Sequence, residues 1–165
     1  MTTDFPPAEE PPPAAAVEVA GSPLTVESVT RVDGGAGVEA VVRVSSAEFM
    51  RTRDVPGLAV RALEAFPELR RHKCDCGSAR GIESELANTE SPHLLEHLAL
   101  ELLALGGASR RETRGETSWD FARDGRGVFR VRIEHGDPVA TESALREACA
   151  AANALLSGET VPRRE

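Results

Sequence analysis

The amino-acid sequence predicts a small α+β domain in which an antiparallel sheet is packed by about three helices. Two observations lead to this fold class. Apolar and polar side chains alternate in strand-like segments, and other segments repeat apolar side chains at helical spacing between capping residues. A chain of 165 residues is long enough for one domain with a hydrophobic core. We expect residues 1–23 to be a disordered leader rich in Pro, Ala and Glu, 24–158 to form the domain, and 159–165 to be a flexible tail.

Three segments are predicted as strands of seven or eight residues. The first is Leu24–Arg31, and the second is 38–44, where Val and Ala side chains alternate with other residues. The Asp-Gly-Gly sequence at 33–35 is a turn signal, which predicts a hairpin between these two strands. Val128–Glu134 alternates most clearly, with Phe, Val and Ile on the inward face and Arg and Glu on the outward face.

The segment between the second and third strands is predicted to be mainly helical. Asp54 can cap a helix that starts at the next residue and that Pro67 closes. A short helix is expected within 81–88. The polar stretch 110–126 contains several glycines and predicts a long loop, with a short strand around 119–121.

Two longer helices have clear boundaries. Ser91 as N-cap and Pro92 in the first turn open one of them, and the Gly pair that begins at Gly106 ends it. Asp137 caps the last helix, which carries a stripe of Leu and Ala and stops at Gly158. Together with the strands, these helices complete the predicted α+β order.

Composition limits the cellular compartments and the binding partners that we expect for this protein. The net charge is −8, whereas affinity for phosphate backbones needs clustered Lys and Arg, so we expect no nucleic-acid partner. No apolar run is long enough for a membrane span, and the N-terminus lacks the pattern of a signal peptide, so we expect a cytoplasmic protein with no membrane partner. The three cysteines, Cys74, Cys76 and Cys149, are an odd number, which favours thiols or metal ligands over disulfides.

The segment HLLEHLALELL, residues 93–103, places two His and two Glu among Leu and Ala. On a helical wheel of about 100° per residue, with His93 at zero, Glu96 falls at about 300°, His97 at about 40° and Glu101 at about 80°. All four side chains therefore share one arc, while the rest of the helix is apolar and belongs in the core. Burial of these groups would cost several kcal/mol unless they bind a ligand or one another.

The order His93-x-x-Glu96-His97 is that of the inverted zincins, in which the two His bind zinc and the Glu acts as general base. Glu101, one turn further along, is a candidate for a third ligand or for a carboxylate that holds a His tautomer. The alternative is a structural His/Glu network with no metal, because so short a pattern also arises by chance.

Two neighbouring segments add polar candidates. His72 and Cys74 precede the helix, and Cys74 could supply a soft ligand or be a small core residue. Cys149 is expected to pack within the last helix. In the loop that follows the HLLEHLALELL helix, Arg114 could bind a substrate carboxylate through two hydrogen bonds, although mixed-charge loops are commonly solvated.

Several of these segments occur together, and in the same order, in a known family. FPELRRHKC (66–74), SPHLLEHLALELLALGG (91–107), the loop with RETRGE (111–116), and VFRVRIEHGD (128–137) before an Ala-rich helix resemble the N-terminal domain of cyanophycin synthetase. The sequence departs from the family pattern at SARGIESEL, where a Gly-Gly-aromatic segment is expected, and at the proline before His93.

The resemblance implies a function for the residues that match. In that family the N-terminal domain is associated with binding a polymer of aspartate with arginine on each side chain, and in some members with a metal-dependent site that cuts it. Carried over to this chain, the resemblance makes His93 and His97 metal ligands, Glu96 a base or ligand, and Glu101 a ligand or supporting carboxylate. It places His72, Cys74 and Arg114 in the substrate pocket.

We therefore predict a zinc-dependent hydrolase of amide bonds in a cyanophycin-like Asp/Arg polymer or peptide. The alternative is a non-catalytic module that binds the polymer or assists a separate synthetase-like enzyme. Full synthetases continue into ATP-grasp and Mur-ligase-like modules, but these 165 residues contain no phosphate-binding glycine loop or ligase motif. We expect neither ATP as a cofactor nor ATP-dependent synthesis. A homodimer is compatible with the exposed apolar face of so small a sheet.

Overall fold

The computed structural model describes residues 21–32, 34, 37–74 and 81–165. Within these ranges the chain forms four strands and five α-helices. The strands are β1 Leu24–Arg31, β2 Gly37–Val44, β3 Arg114–Ser118 and β4 Val128–Glu134, and the helices are α1 Leu58–Ala65, α2 Ile82–Leu86, α3 Ser91–Leu105, α4 Phe121–Asp124 and α5 Pro138–Leu156. Short 3₁₀ helices lie at Ala47–Phe49, Thr52–Asp54 and Pro67–Arg71.

The four strands form one antiparallel sheet in the order β1-β2-β4-β3. This confirms the predicted α+β class with a small antiparallel sheet. β1 and β4 have the predicted bounds, and β2 begins one residue earlier than predicted, at Gly37. The predicted turn between β1 and β2 lies largely outside the described residues, as do the leader up to residue 20 and the segment 75–80.

Helices cover one face of the sheet. α3 and α5 pack side by side, with α3 over β3 and β4 and α5 over β1 and β2. The inward side chains of the two central strands, such as Val42 and Phe129, are fully buried against these helices. The outward face is charged, and Arg130 lies there between Glu39 and Asp124. Among the described helices, none is both long and apolar enough to cross a bilayer.

Two predicted helix starts differ from the structure, that of α1 by three residues and that of α3 by one. α1 begins at Leu58 because Gly57, with a φ of 71°, adopts the left-handed conformation, which a right-handed helix cannot include. Asp54 lies in a 3₁₀ helix and is not the N-cap of α1. In α3 the N-cap position belongs to Glu90, and the Ser91 hydroxyl donates to the carbonyl of Phe49. This hydrogen bond joins the start of α3 to the 3₁₀ helix Ala47–Phe49.

The ends of the two long helices agree better with expectation. Gly106 follows the last residue of α3, and Asp137 caps α5 by accepting hydrogen bonds from the backbone N–H groups of Val139 and Ala140. The segment 159–165, expected to be a flexible tail, contacts the domain: the Arg164 N–H donates to the carbonyl of Ala65 at 2.8 Å.

The stretch 110–126 contains more structure than the predicted loop. Its strand is β3, which ends before the expected position at 119–121. β3 reads Arg-Gly-Glu-Thr-Ser and has no apolar alternation, because small residues occupy the positions that face the helices. β3 pairs with β4 alone and is therefore an edge strand.

Candidate metal centre

The first half of α3 presents two histidines, one turn apart, to a cysteine from the preceding segment. Cys74 Sγ lies 3.2 Å from His93 Nε2 and 3.2 Å from His97 Nε2, and the two Nε2 atoms are 3.1 Å apart. Cys74 is placed there by the 3₁₀ helix Pro67–Arg71, which packs against α3. We refer to Cys74, His93 and His97 as the Cys/His cluster.

The chemistry of the Cys/His cluster fits a zinc ion. A sulfur and two imidazole nitrogens are donors that zinc prefers, and atoms this close together can all be reached from one point at about 2.0–2.3 Å. Burial lowers the pKa of His93, although the carboxylates of Glu90 and Glu85 oppose this. Burial and the neighbouring rings of His93 and His72 hold the pKa of His97 well below its ordinary value. Both rings are therefore neutral at pH 7, the state that binds metal.

The second nitrogen of each histidine is also engaged. His93 Nδ1 is 2.8 Å from Thr89 Oγ1, and His97 Nδ1 is 3.0 Å from His72 Nδ1. His72 Nε2 in turn lies 2.7 Å from Glu101 Oε2. If His97 keeps Nε2 free for a ligand, its Nδ1–H donates to His72, whose Nε2–H then donates to Glu101. This chain, Glu101–His72–His97, selects one tautomer throughout.

Glu101 ends this chain and is held by an arginine. Arg110 donates from Nη1 to Oε2 at 2.6 Å and from Nη2 to Oε1 at 2.9 Å, and only 1% of the Glu101 side chain is exposed. Burial alone would raise the pKa of Glu101, but the hydrogen bonds from His72 and Arg110 lower it to about 2. Arg110 Nη1 also lies 2.9 Å from His72 Nε2, and because both carry protons in this tautomer, that contact is not a hydrogen bond.

Glu96 lies on the same arc of α3 but faces β3. Its side chain is buried, and the Thr117 hydroxyl donates to Oε2 at 2.5 Å. Burial raises the pKa of Glu96 to about 7, against the effect of the Thr117 hydrogen bond. A Cβ atom added at Gly115 would lie 2.7 Å from both Cγ and Cδ of Glu96. The carboxyl therefore occupies space that any side chain at position 115 would need.

A charged cleft of about 820 Å³ lies between α3 and β3. Its wall includes the Cys/His cluster, Glu96 and four consecutive residues of β3, 114–117. Arg111 and Arg114 also line it, and within the described part of the chain neither makes an ion pair. Trp119, 49% exposed, also lines the cleft. The Cys/His cluster thus has solvent access on a surface that carries charged side chains.

The structure brings five of the seven sequence-predicted site residues into one network of contacts, through Cys74, the three histidines and Glu101. Cys74, predicted for the substrate pocket, joins His93 and His97, whereas Glu101, a candidate ligand, contacts His72 and Arg110. Of the other two, Glu96 lines the cleft with its carboxyl bound by Thr117, and Arg114 lies on the cleft wall. Cys76 lies outside the described residues.

Sequence reasoning missed four polar or small residues of the site. These are Thr89, Arg110, Gly115 and Thr117. Arg110 and Gly115 lie within polar segments of mixed charge, where nothing in the pattern distinguishes a buried contact from a solvated one. The available signal was the unmet hydrogen-bonding need of the buried carboxylates of α3, which requires donors from elsewhere in the chain.

Fold and site together define a class: a small α+β domain whose buried central helix presents a possible Cys/His metal site to a charged cleft. In sequence, residues 39–157 match the cyanophycin synthase-like N-terminal domain, and this is more than half of the chain. The chain belongs to that family. The match confirms the resemblance carried by its histidine helix and the flanking segments. No curated protein matches the chain in sequence.

Proposed function

We propose that this chain is a zinc-dependent hydrolase of amide bonds, and that it cuts a cyanophycin-like polymer or another peptide rich in Asp and Arg. The observation that carries the proposal is the convergence of Cys74, His93 and His97 within 3.2 Å of one another on the wall of an open cleft. Structural zinc sites are closed by four protein ligands, whereas three ligands beside a cleft are the arrangement of catalytic ones.

In this proposal the Cys/His cluster holds the zinc, with Thr89 and His72 orienting the two imidazoles. A zinc ion bound there would supply a Lewis acid and would lower the pKa of a water molecule towards neutrality. The Glu101–His72–His97 chain keeps His97 Nδ1 protonated, so that Nε2 stays available to a ligand. Arg110 holds the outer end of that chain in place.

Glu96 is the proposed general base. It lies on the same wall of the cleft as the cluster, and the Thr117 hydroxyl fixes the orientation of its carboxyl. A carboxylate in this position can accept a proton from the attacking water and return it to the leaving amine nitrogen. A substitution that leaves no ionisable group at position 96 should therefore reduce the rate of cleavage by about 10²-fold or more.

The charges of the cleft support an Asp/Arg substrate. Arg111 and Arg114 offer guanidinium groups without an ion-pair partner in the described chain, and these suit carboxylates. Glu116, on the same wall, offers a carboxylate to an arginine side chain. Membership of the cyanophycin synthase-like family supports the same substrate class.

Zinc content tests the first half of the proposal. Protein purified without added metal should contain about one zinc per chain, measured by elemental analysis, and Cys74→Ser should lose most of it because the thiolate donor is gone. Cys149→Ser is the matched control, since Cys149 lies on α5 with its Sγ near the carbonyl of Leu24. Equal zinc content in the two variants would contradict the assigned donors.

Cleavage tests the second half. Wild-type protein should release shorter fragments from purified cyanophycin, as resolved by electrophoresis, and Glu96→Gln should retain zinc while losing cleavage. His135→Ala controls for the loss of an imidazole, because His135 lies beyond β4 near Asp137 and does not line the cleft. If zinc-loaded wild-type protein binds the polymer without cutting it, the hydrolase proposal is overturned.

A further inference from the structure

The open edge of β3 lies on the cleft beside the Cys/His cluster. β3 is the terminal strand of the sheet, and all of its first four residues, 114–117, line the cleft. Backbone hydrogen bonds outside helices and strands do not involve Gly115 or Thr117 within the described residues. An unpaired strand edge is a template for another extended chain.

The hydrogen-bonding pattern of the sheet shows which groups are open. In an antiparallel sheet, successive residues direct their N–H and C=O groups to opposite sides of the strand. The Val44 N–H donates to the carbonyl of Gly127, so the odd-numbered residues of β4 face β2 and the even-numbered ones face β3. Glu116 is paired with an even-numbered residue of β4. Gly115 and Thr117 therefore direct their N–H and C=O groups away from the sheet.

We propose that the open edge of β3 binds the substrate main chain as a fifth strand, through the N–H and C=O groups of Gly115 and Thr117. This inference rests on the proposed function, since it places the peptide to be cut along the wall that carries the Cys/His cluster. Gly115 and Thr117 also both pack on Glu96. The strand edge and the proposed base are therefore held at a fixed distance from each other.

The occupant that fits this edge is an extended aspartate chain whose side chains, joined to arginine, each end in a carboxylate and a guanidinium group. A main chain added to β3 alternates its side chains between the two faces of the sheet. Arg114 and Arg111 lie beside the edge, without an ion pair in the described chain, and can pair with carboxylates or carboxamide oxygens on the added strand. Main-chain recognition of this kind supplies affinity, while the flanking side chains supply selectivity.

Hydrogen exchange at single amides tests the edge directly. The probe is deca-L-aspartate with arginine joined to each side chain, added at saturation to the zinc-loaded Glu96→Gln protein and followed by NMR. The amides of Gly115 and Thr117 should exchange at least about tenfold more slowly with the probe, whereas that of Glu116, already bonded to β4, should not change. If the probe fails to bind, or binds with Gly115 and Thr117 unaltered, the proposal is overturned.

A pair of variants at one position gives a second measurement. Thr117→Pro removes the outward N–H, and Thr117→Val keeps it while removing the hydroxyl that reaches Glu96. Probe affinity, measured by fluorescence anisotropy, should fall about tenfold in the first variant relative to the second. Equal affinities would overturn the proposal. If the proline variant does not fold, the exchange measurement decides.

These measurements separate the strand edge from the hydrolysis. Slower exchange at Gly115 and Thr117, together with an uncut polymer in the zinc-loaded wild type, would retain the binding edge and remove the hydrolase. Cleavage by the wild type, with unchanged exchange at both amides, would retain the hydrolase and remove the binding edge.

Discussion

The two central helices, α3 and α5, lie side by side on the same sheet but bury different chemistry. α5 buries Leu, Ala and one threonine, whose hydroxyl is satisfied by the carbonyl of Asp137. α3 buries Leu and Ala as well, but also Glu96, His97 and Glu101. The buried face of α5 therefore mainly stabilises the fold. Part of the buried face of α3 consists of polar groups, whose burial is unfavourable unless other segments supply partners for them.

The difference between the two helices shows where a small domain can bury the polar side chains of a functional site. Each buried polar side chain of α3 has a specific partner: Thr117 for Glu96, His72 for His97, and Arg110 for Glu101. Those partners come from the edge strand and from the segments on either side of α3, at the periphery of the sheet. α5 covers β1 and β2, where the Asn153 side chain accepts from the Leu24 N–H and donates to the Leu24 carbonyl, a contact with backbone and not with a second ionisable group.

The largest expected effect on stability lies in α5. Leu145 is fully buried, so Leu145→Ala should lower the free energy of unfolding by about 2–5 kcal/mol through lost burial and a cavity. Urea denaturation measures the loss, and the zinc content of the folded fraction should not change. A large loss of zinc would mean that α5 also supports the site.

In α3, Glu101→Gln should lower the free energy of unfolding of the metal-free protein by about 3 kcal/mol near neutral pH. The pKa of Glu101 is lowered to about 2 in the folded state, so its contribution is complete above the unfolded pKa of about 4.5 and is lost as the pH falls towards 2. The difference between wild type and variant should therefore shrink between about pH 4.5 and pH 2 in urea titrations. A difference that stays constant with pH would assign the effect to packing.

Gly115→Ala should lower the free energy of unfolding by about 1–3 kcal/mol, because the new Cβ overlaps the buried Glu96 side chain. The cost should vanish in a Glu96→Ala background, which vacates the space. Thermal and urea denaturation of the four proteins of this double-mutant cycle measure the coupling. If the cost persists in that background, the strain comes from the backbone of β3 and not from Glu96.

The smallest of these effects concerns zinc affinity. His72→Gln breaks the Glu101–His72–His97 chain without removing a cluster atom, and supports of this kind are worth about 10- to 100-fold in metal affinity. Competition with a chromophoric chelator measures the change. His135→Ala is the control, and an equal, unchanged affinity in both variants would show that His97 needs no support.

The parts of the fold that rest on local patterns could be predicted. Apolar alternation gave the bounds of β4, and capping gave the start of α5 at Asp137. β3 could not be placed, because its inward positions are Gly115 and Thr117 and carry no hydrophobic signal. Its existence depends on the vacant edge of β4, which is a tertiary property.

The same division applies to the candidate site. The common arc of His93, Glu96, His97 and Glu101 follows from helical geometry alone, and α3 has that geometry. The inclusion of Cys74 in the cluster depends on how the preceding 3₁₀ segment packs on α3, which spacing in sequence does not encode. The partner of Glu101 likewise comes from a loop in which two adjacent arginines, Arg110 and Arg111, are both exposed, and spacing in sequence does not show which of them reaches the carboxylate.

The close packing of Gly115 on Glu96 has a consequence for related sequences. Because these two residues share one volume, they should vary together: a family member with a larger residue at the position of Gly115 should have a shorter one at the position of Glu96. Such a member would lack the long carboxylate beside the cluster. Reading these two positions together across the family would therefore sort its members into those that retain the acid and those that have given it up.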